Sequence, residues 1–136
     1  MYLIDTNIFL EVMLSRRRKD ESKRLLRLLR DGKVKGVVTD FTIHSIIVLL
    51  DSLRRLDKLE IFLSSIRAYK GLYVYPTSII EEIRAVKISR EKGLDMDDAI
   101  QYSAALTIGA EAIVSFDKDF DGLEIPRMEP RDIVSR

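Results

Sequence analysis

The chain has no cysteine and no tryptophan, a single histidine, and only three prolines and six glycines among 136 residues. Without cysteine there is no disulfide framework, no thiolate zinc site and no thiol nucleophile. The one histidine, His44, has no clustered imidazole beside it. No Ser or Cys nucleophile accompanies it in a recognisable elbow either, so it is read as a residue on a helix surface. No Pro/Gly/Ser-rich linker, repeat or low-complexity tract interrupts the chain, which predicts one domain over residues 1–136. An excess of either charge is also missing: 23 basic and 22 acidic residues leave a formal net charge of +1. The overall field therefore recruits neither nucleic acid nor an anionic membrane, and such a partner must meet a local patch. No apolar run is long enough to span a bilayer. Asp5 stands where a secretory leader needs a basic segment and then an apolar one. Together these absences predict a cytoplasmic protein with no membrane partner.

Asparagine and glutamine each occur once, as Asn7 and Gln101, while charged residues make up 33% of the chain. That bias is known from proteins of hot environments. It also draws attention to Asn7, two residues past Asp5, although a helix-capping role accounts for an asparagine there equally well.

What the chain does contain is an alternation of short apolar runs with helical periods. Tyr2-Leu3-Ile4 has the length and composition of a buried strand, and Gly36-Val37-Val38-Thr39, Leu72 to Tyr75 and Ala112-Ile113-Val114-Ser115 read as further strands. Leu123-Glu124-Ile125, before Pro126, is the candidate for a short edge strand. Between them, helical spacing marks Asn7 to Leu14, Asp20 to Gly32, the run of Ile43, Ile46, Ile47, Leu50 and Leu53, Leu59 to Ala68, the set Ile79, Ile83 and Val86, and Asp95 to Ile108. The last is apolar or small on nearly every side, which predicts a buried helix. Strands separated by helices predict an α/β fold, a central mostly parallel sheet of about five strands with helices on both faces. Ligands of such sheets bind beyond the carboxyl ends of the strands.

The acids collect at that edge. Asp5 closes the first strand, and Asp117, Asp119 and Asp121 follow the fourth. Asp95-Met96-Asp97-Asp98 opens the most apolar helix, and with Asp95 as N-cap, Asp97 and Asp98 fall in its first turn. Each group taken singly has a structural explanation in helix caps and turns. Taken together they repel, and a site that tolerates such repulsion usually holds a cation. Carboxylates without Cys or clustered His favour a hard ion, Mg²⁺ or Mn²⁺. Such an ion acidifies water and neutralises charge on a phosphoryl group, so no histidine base is required. The run Arg16-Arg17-Arg18-Lys19 is the local concentration of positive charge suited to a phosphate backbone, a solvated loop being the structural alternative.

Leu3-Ile4-Asp5-Thr6-Asn7, Asp98-Ala99 and Ile113-Val114-Ser115-Phe116-Asp117-Lys118-Asp119-Phe120 resemble, in order and spacing, the motifs of the PIN domain family, and specifically its small VapC-type toxins. The resemblance covers nearly the whole chain. It implies a flavodoxin-like parallel sheet and a hydrolase that cleaves RNA with Mg²⁺ or Mn²⁺. It also implies Asp5, Asp98 and Asp117 as catalytic and metal residues, Asp119 as a further ligand, and Thr6, Asn7 and Ser115 as support. A toxin–antitoxin pair with a cognate antitoxin, and a homodimer, follow from the same likeness. One position departs from the pattern. The family places a glutamate about six residues past the Ser or Thr that ends strand two; counting from Thr39 reaches Ser45, with His44 beside it and Asp40 too early. Ser45 therefore joins the site as support without charge. The departure favours an alternative, a catalytically weak PIN-fold module that binds RNA or protein. Two other readings fail on residues. An EF-hand starting at Asp117 has Met128 where a bidentate Glu is needed. A phosphoacceptor receiver domain needs an aspartate where strand three ends in Tyr75-Pro76.

Overall fold

Leu3, Val37 and Ile113 point to one side of a central sheet and Ile4, Val38 and Val114 to the other, and each set anchors a separate buried cluster. This two-sided burial is what a parallel sheet between two helical layers requires. The computed structural model describes residues 1–135; Arg136, the last residue of the expected domain, lies outside the described residues. The five strands are β1 (Tyr2–Ile4), β2 (Gly36–Thr39), β3 (Leu72–Tyr75), β4 (Ile113–Val114) and β5 (Arg127–Met128). They lie in the order β3-β2-β1-β4-β5, and every pairing is parallel. The α/β architecture expected from the alternation is the one found, and it is flavodoxin-like as the resemblance implied.

The helices are α1 (Thr6–Met13), α2 (Lys19–Arg30), α3 (Asp40–Ser52), α4 (Leu56–Ala68), α5 (Ile79–Lys92), α6 (Met96–Ile108) and α7 (Pro130–Val134). Helices α5 and α6 cover the Leu3 face, with Ala85, Ala99, Ala104 and Ala105 in that cluster. Residues of α1, α2, α3, α4 and α7 cover the other face. The small side chains let α6 lie close to the sheet, and all residues from Asp98 to Ala105 are buried. Among the described residues no helix is long and apolar enough to cross a membrane.

One detail differs from expectation. Leu123 to Ile125 form no strand. Gly122 turns the chain at φ 78, Ile125 is buried in the core, and pairing begins only past Pro126, whose carbonyl accepts from Ile113 N at 2.9 Å. Proline supplies that acceptor at the strand's start while its missing N–H costs nothing there. On α5 the residues whose spacing marked the helix stay at the surface, Ile79 and Ile83 at 70% and 65% exposed, while Ala85 is buried.

Order of the layers depends on one close backbone approach. Gly71 donates its N–H to Leu29 O at 2.7 Å and accepts from Gly36 N at 2.8 Å, joining the end of α2 to the start of β2. A Cβ on Gly71 would lie 2.1 Å from the carbonyl oxygen of Val34, whereas one on Gly36 meets side-chain ends of Leu29 and Ile4. Backbone cannot yield as a flexible side chain can. Gly71→Ala is expected to lower unfolding free energy by about 2–3 kcal/mol, in the upper part of the range for overpacking, and Gly36→Ala by less. Urea denaturation of both variants checks this, and an unchanged midpoint for Gly71→Ala would contradict it.

Candidate metal centre

Asp5 is the last residue before α1 and fills the helix's N-cap position without using its side chain as a cap. Its carboxylate is free for another purpose. It is 4% exposed, and its Oδ2 accepts from Ser115 Oγ at 2.5 Å. Ser115, fully buried just past β4, also accepts at its Oγ from Asp117 N at 2.9 Å and from Asn7 Nδ2 at 3.3 Å. A hydroxyl has one proton to give. With two donors already aimed at its oxygen, that proton goes to Asp5. Thr6 turns away and meets Thr42 Oγ1 at 3.0 Å, joining α1 to α3.

Asp95 caps α6, accepting at Oδ1 from Asp98 N at 2.9 Å. This sets Asp98 in the first turn, 6% exposed, with its side chain left over from capping. Asp117 caps a short 3-10 helix, Lys118–Phe120, accepting from Asp119 N at 2.9 Å. Phe120 buries fully and holds that turn against the core. The outcome is a group of three carboxylates: one oxygen each of Asp98, Asp117 and Asp119 lie within 4.8 Å of one another. That spacing suits a hard cation bound by oxygen ligands. Two orphaned acceptors fit the same conclusion, since Asn7 Oδ1 and Gln101 Oε1 are buried with no hydrogen-bond partner.

The field at the site is negative and poorly solvated. Burial raises the Asp5 carboxyl to about 6, against the lowering effect of hydrogen bonds from Ser115 and Gln101, and the charge of Asp97 adds to the rise. Burial likewise raises Asp98, to about 8, followed by the charges of Asp5, Asp95, Asp117 and Asp97. Nearby acids do not all share this fate. Arg127 bonds Asp121 Oδ1 at 2.7 Å, Glu129 Oε2 at 3.0 Å and the carbonyl of Ser115 at 3.0 Å, which neutralises the loop's outer acids and pins the end of β4.

The remaining sequence candidates divide. Asp40 accepts from both the N–H and the hydroxyl of Thr77, at 3.1 and 2.8 Å, and is occupied there. Ser45 is half-buried in a surface groove of about 490 Å³ lined also by Phe41, His44, Val48, Leu49 and Ser52, with no hydrogen bond to the acids. His44 is exposed. In the basic run, Arg18 is committed: it bonds Glu129 Oε1 at 3.1 and 3.2 Å, pairs with Glu21 at 3.3 Å and lies 4.6 Å from the Phe116 ring. Arg16 and Arg17 are exposed and Lys19 half-buried. Gln101, Arg127 and Glu129 were not singled out from sequence. For Gln101 the signal existed, since it is the only glutamine and stands three residues past Asp98 inside an apolar helix.

Comparison with known proteins adds three findings. The family model of the PIN domain matches residues 2–125. A search of curated protein sequences finds no significant match. Among solved structures, the chain is similar to Mycobacterium tuberculosis VapC20, a sarcin–ricin loop cleaving toxin, at 16% identity and TM-score 0.77, covering 96% of this chain and 100% of that one. A toxin–antitoxin complex from Klebsiella pneumoniae matches at 21% identity and TM-score 0.68, covering 96% and 98%. VapBC2 from Rickettsia felis, bound to a DNA fragment from its promoter, matches at 17% identity and TM-score 0.68, covering 94% and 97%.

The raised carboxyls set a pH dependence whose sign is fixed. Because burial raises the Asp5 and Asp98 carboxyls in the folded chain to about 6 and about 8 from an ordinary 3.8, the folded state binds more protons than the unfolded one between about pH 4 and 8. Stability without metal then falls as pH rises through that window. Melting of the metal-free protein is expected to decline from pH 5 to pH 8, with Asp98→Asn removing much of the decline and melting higher than wild type at pH 8. A variant that melts lower than wild type at pH 8 would contradict this.

Proposed function

The chain belongs to the PIN domain family, and from that premise we propose that it is a divalent-metal-dependent endoribonuclease, the toxin of a toxin–antitoxin pair. The observation that carries the proposal is the close approach of Asp98, Asp117 and Asp119 beside the buried carboxylate of Asp5. Asp5, Asp98, Asp117 and Asp119 would hold Mg²⁺ or Mn²⁺. When bound, such an ion supplies charge neutralisation at phosphorus and a water acidic enough to react near neutral pH.

The chain's own residues do the rest. Ser115 fixes the rotamer of Asp5 and, through the Asp117 N–H, the start of the acidic loop. Asn7 holds the Ser115 oxygen from the α1 side. Burial of Asp5 and Asp98 keeps the dielectric low, so that a cation gains more there than at the surface. Arg18, tied to Glu129 and laid on Phe116, fastens the loop between α1 and α2 beside the ends of β4 and β5. Exposed Arg16 and Arg17 in that loop, with Lys19 at the start of α2, are the contacts proposed for an RNA backbone.

One similar structure is a toxin–antitoxin complex and another is a sarcin–ricin loop cleaving toxin. They support a cognate antitoxin and an RNA substrate for this chain as part of the same proposal, acting in the cytoplasm. A second copy is the other partner proposed. Ile79, Ile80 and Ile83 on α5, at 65–71% exposed, and Val48 and Leu56 on α3 and α4, at 68% and 60%, leave apolar surface uncovered. Light scattering is expected to give a dimer mass in the micromolar range; a monomer mass throughout would contradict the homodimer.

The neutral Ser45 favours a second reading, a PIN-fold module that binds RNA or protein with little catalysis. Cleavage separates the two. Pure protein is expected to cleave single-stranded RNA only when Mg²⁺ or Mn²⁺ is added, and Asp5→Asn and Asp98→Asn are each expected to lose at least about a hundredfold in rate, the lower range for removing one group that stabilises transition-state charge. Circular dichroism checks that both variants stay folded. Full activity in either, with contaminating nuclease excluded, would overturn the enzyme; no cleavage by wild type with either ion would favour the module.

A further inference from the structure

Asp97 and Gln101 form a pair on α6 that the group of Asp98, Asp117 and Asp119 leaves out. Gln101 Nε2 donates to Asp97 Oδ1 at 3.1 Å. Four residues apart on a helix, they occupy one stripe, and Asp98 precedes Gln101 by three. Gln101 is fully buried and Asp97 half-buried. The other atom of the same carboxamide, Oε1, is buried and receives no hydrogen bond. Buried carboxamides are rarely left in that state, because an unmet acceptor is costly. Both residues are neighbours of Asp5, with Gln101 within hydrogen-bonding reach of its carboxylate. The carboxamide therefore stands within the acidic site, with one end on an acid and the other unclaimed.

We propose that Asp97 is a further carboxylate of the cation site, in place of the acid absent at position 45, and that Gln101 is the residue that positions it. This rests on the metal-dependent reading above and deepens it. A neutral amide suits the task. It steadies Asp97 and Asp5 without adding charge to a site that already gathers Asp5, Asp98, Asp117 and Asp119, where another anion would increase repulsion. Its free Oε1 is an acceptor for a water carried by the ion, a hard cation such as Mg²⁺ commonly keeping several. The competing role for Asp97 is that of a first-turn acid complementing the helix dipole. The two roles give opposite results on substitution. A dipole partner supports stability and has no bearing on metal, whereas a site carboxylate opposes stability without metal and strengthens binding with it.

The test is Mn²⁺ binding to the metal-free full chain, followed by electron paramagnetic resonance, together with thermal melting in the absence of metal. Wild type is expected to bind Mn²⁺. Asp97→Asn and Gln101→Leu are each expected to bind at least about tenfold more weakly, the lower range for losing a group that supports a metal ligand. Asp97→Asn is also expected to melt no lower than wild type without metal, and Asp97→Glu to recover part of the affinity. If Asp97→Asn does not fold, Asp97→Ser gives the same comparison. Unchanged Mn²⁺ affinity with a lower melting temperature would assign Asp97 to the helix dipole and overturn the proposal while leaving the metal-dependent reading in place. Failure of wild type itself to bind Mn²⁺ would overturn both.

Discussion

The proton of Ser115 has one acceptor, and the arrangement of the site follows from that. Its oxygen takes hydrogen bonds from the Asp117 N–H and the Asn7 amide, so its hydroxyl is committed to Asp5. Two regions that are distant in sequence, the junction of β1 with α1 and the loop after β4, are thereby fixed to one oxygen atom. Parallel pairing of β1 with β4 brings those ends together, as expected at a crevice beyond the strand carboxyl ends. Backbone pairing alone would set the strands and leave the carboxylates free to turn away from one another, which their mutual repulsion favours. The serine opposes that freedom on the β1 side. On the α6 side, the Asp95 cap fixes the backbone of Asp98 at the start of the helix.

Such a site is held against its own electrostatics. Asp5 and Asp98 are almost fully buried and lack a cationic partner among the described residues, whereas Asp121 and Glu129 nearby share Arg127. The fold discharges the acids it uses for structure and leaves the others uncompensated. Stability for this comes from elsewhere, chiefly the close packing of α6 on the sheet and the double-sided burial of β1, β2 and β4. Local destabilisation supported by a rigid surrounding is a common property of functional sites. It is also why a cation, rather than a rearranged side chain, is the natural means of relieving the charge.

Much of this was legible in the sequence. Short apolar runs separated by helical periods gave the sheet and its layers, because burial on both faces leaves strands without polar alternation. That acids collect at strand ends and at the start of α6 is readable from composition and spacing, whereas the choice of Asp5, Asp98 and Asp117 among them came from the family resemblance. The misses have physical causes too. Ile125 has the composition of a strand residue but is used as a core plug, and Pro126 shifts pairing to Arg127 and Met128. Helix α7 was overlooked although Glu129-Pro130 and Asp132 form a capping box with proline at the helix start. On α5, periodicity identified the helix, but the apolar stripe at Ile79 and Ile83 does not enter the core, which no pattern of spacing can reveal. Gln101 was missed although it is the one glutamine in an apolar helix, and Arg127 because no spacing pattern shows that one guanidinium joins Asp121, Glu129 and the Ser115 carbonyl.

The account depends most on whether these acids gather around an ion. A crystal soaked in Mn²⁺ and measured for anomalous scattering addresses that directly. The expected result is a peak bounded by Asp5, Asp98 and Asp117, with Asp98 and Asp117 oxygens at bonding distance. Full occupancy of the lattice by well-ordered protein with no anomalous peak between these carboxylates, under Mn²⁺ at neutral pH or above, would contradict it.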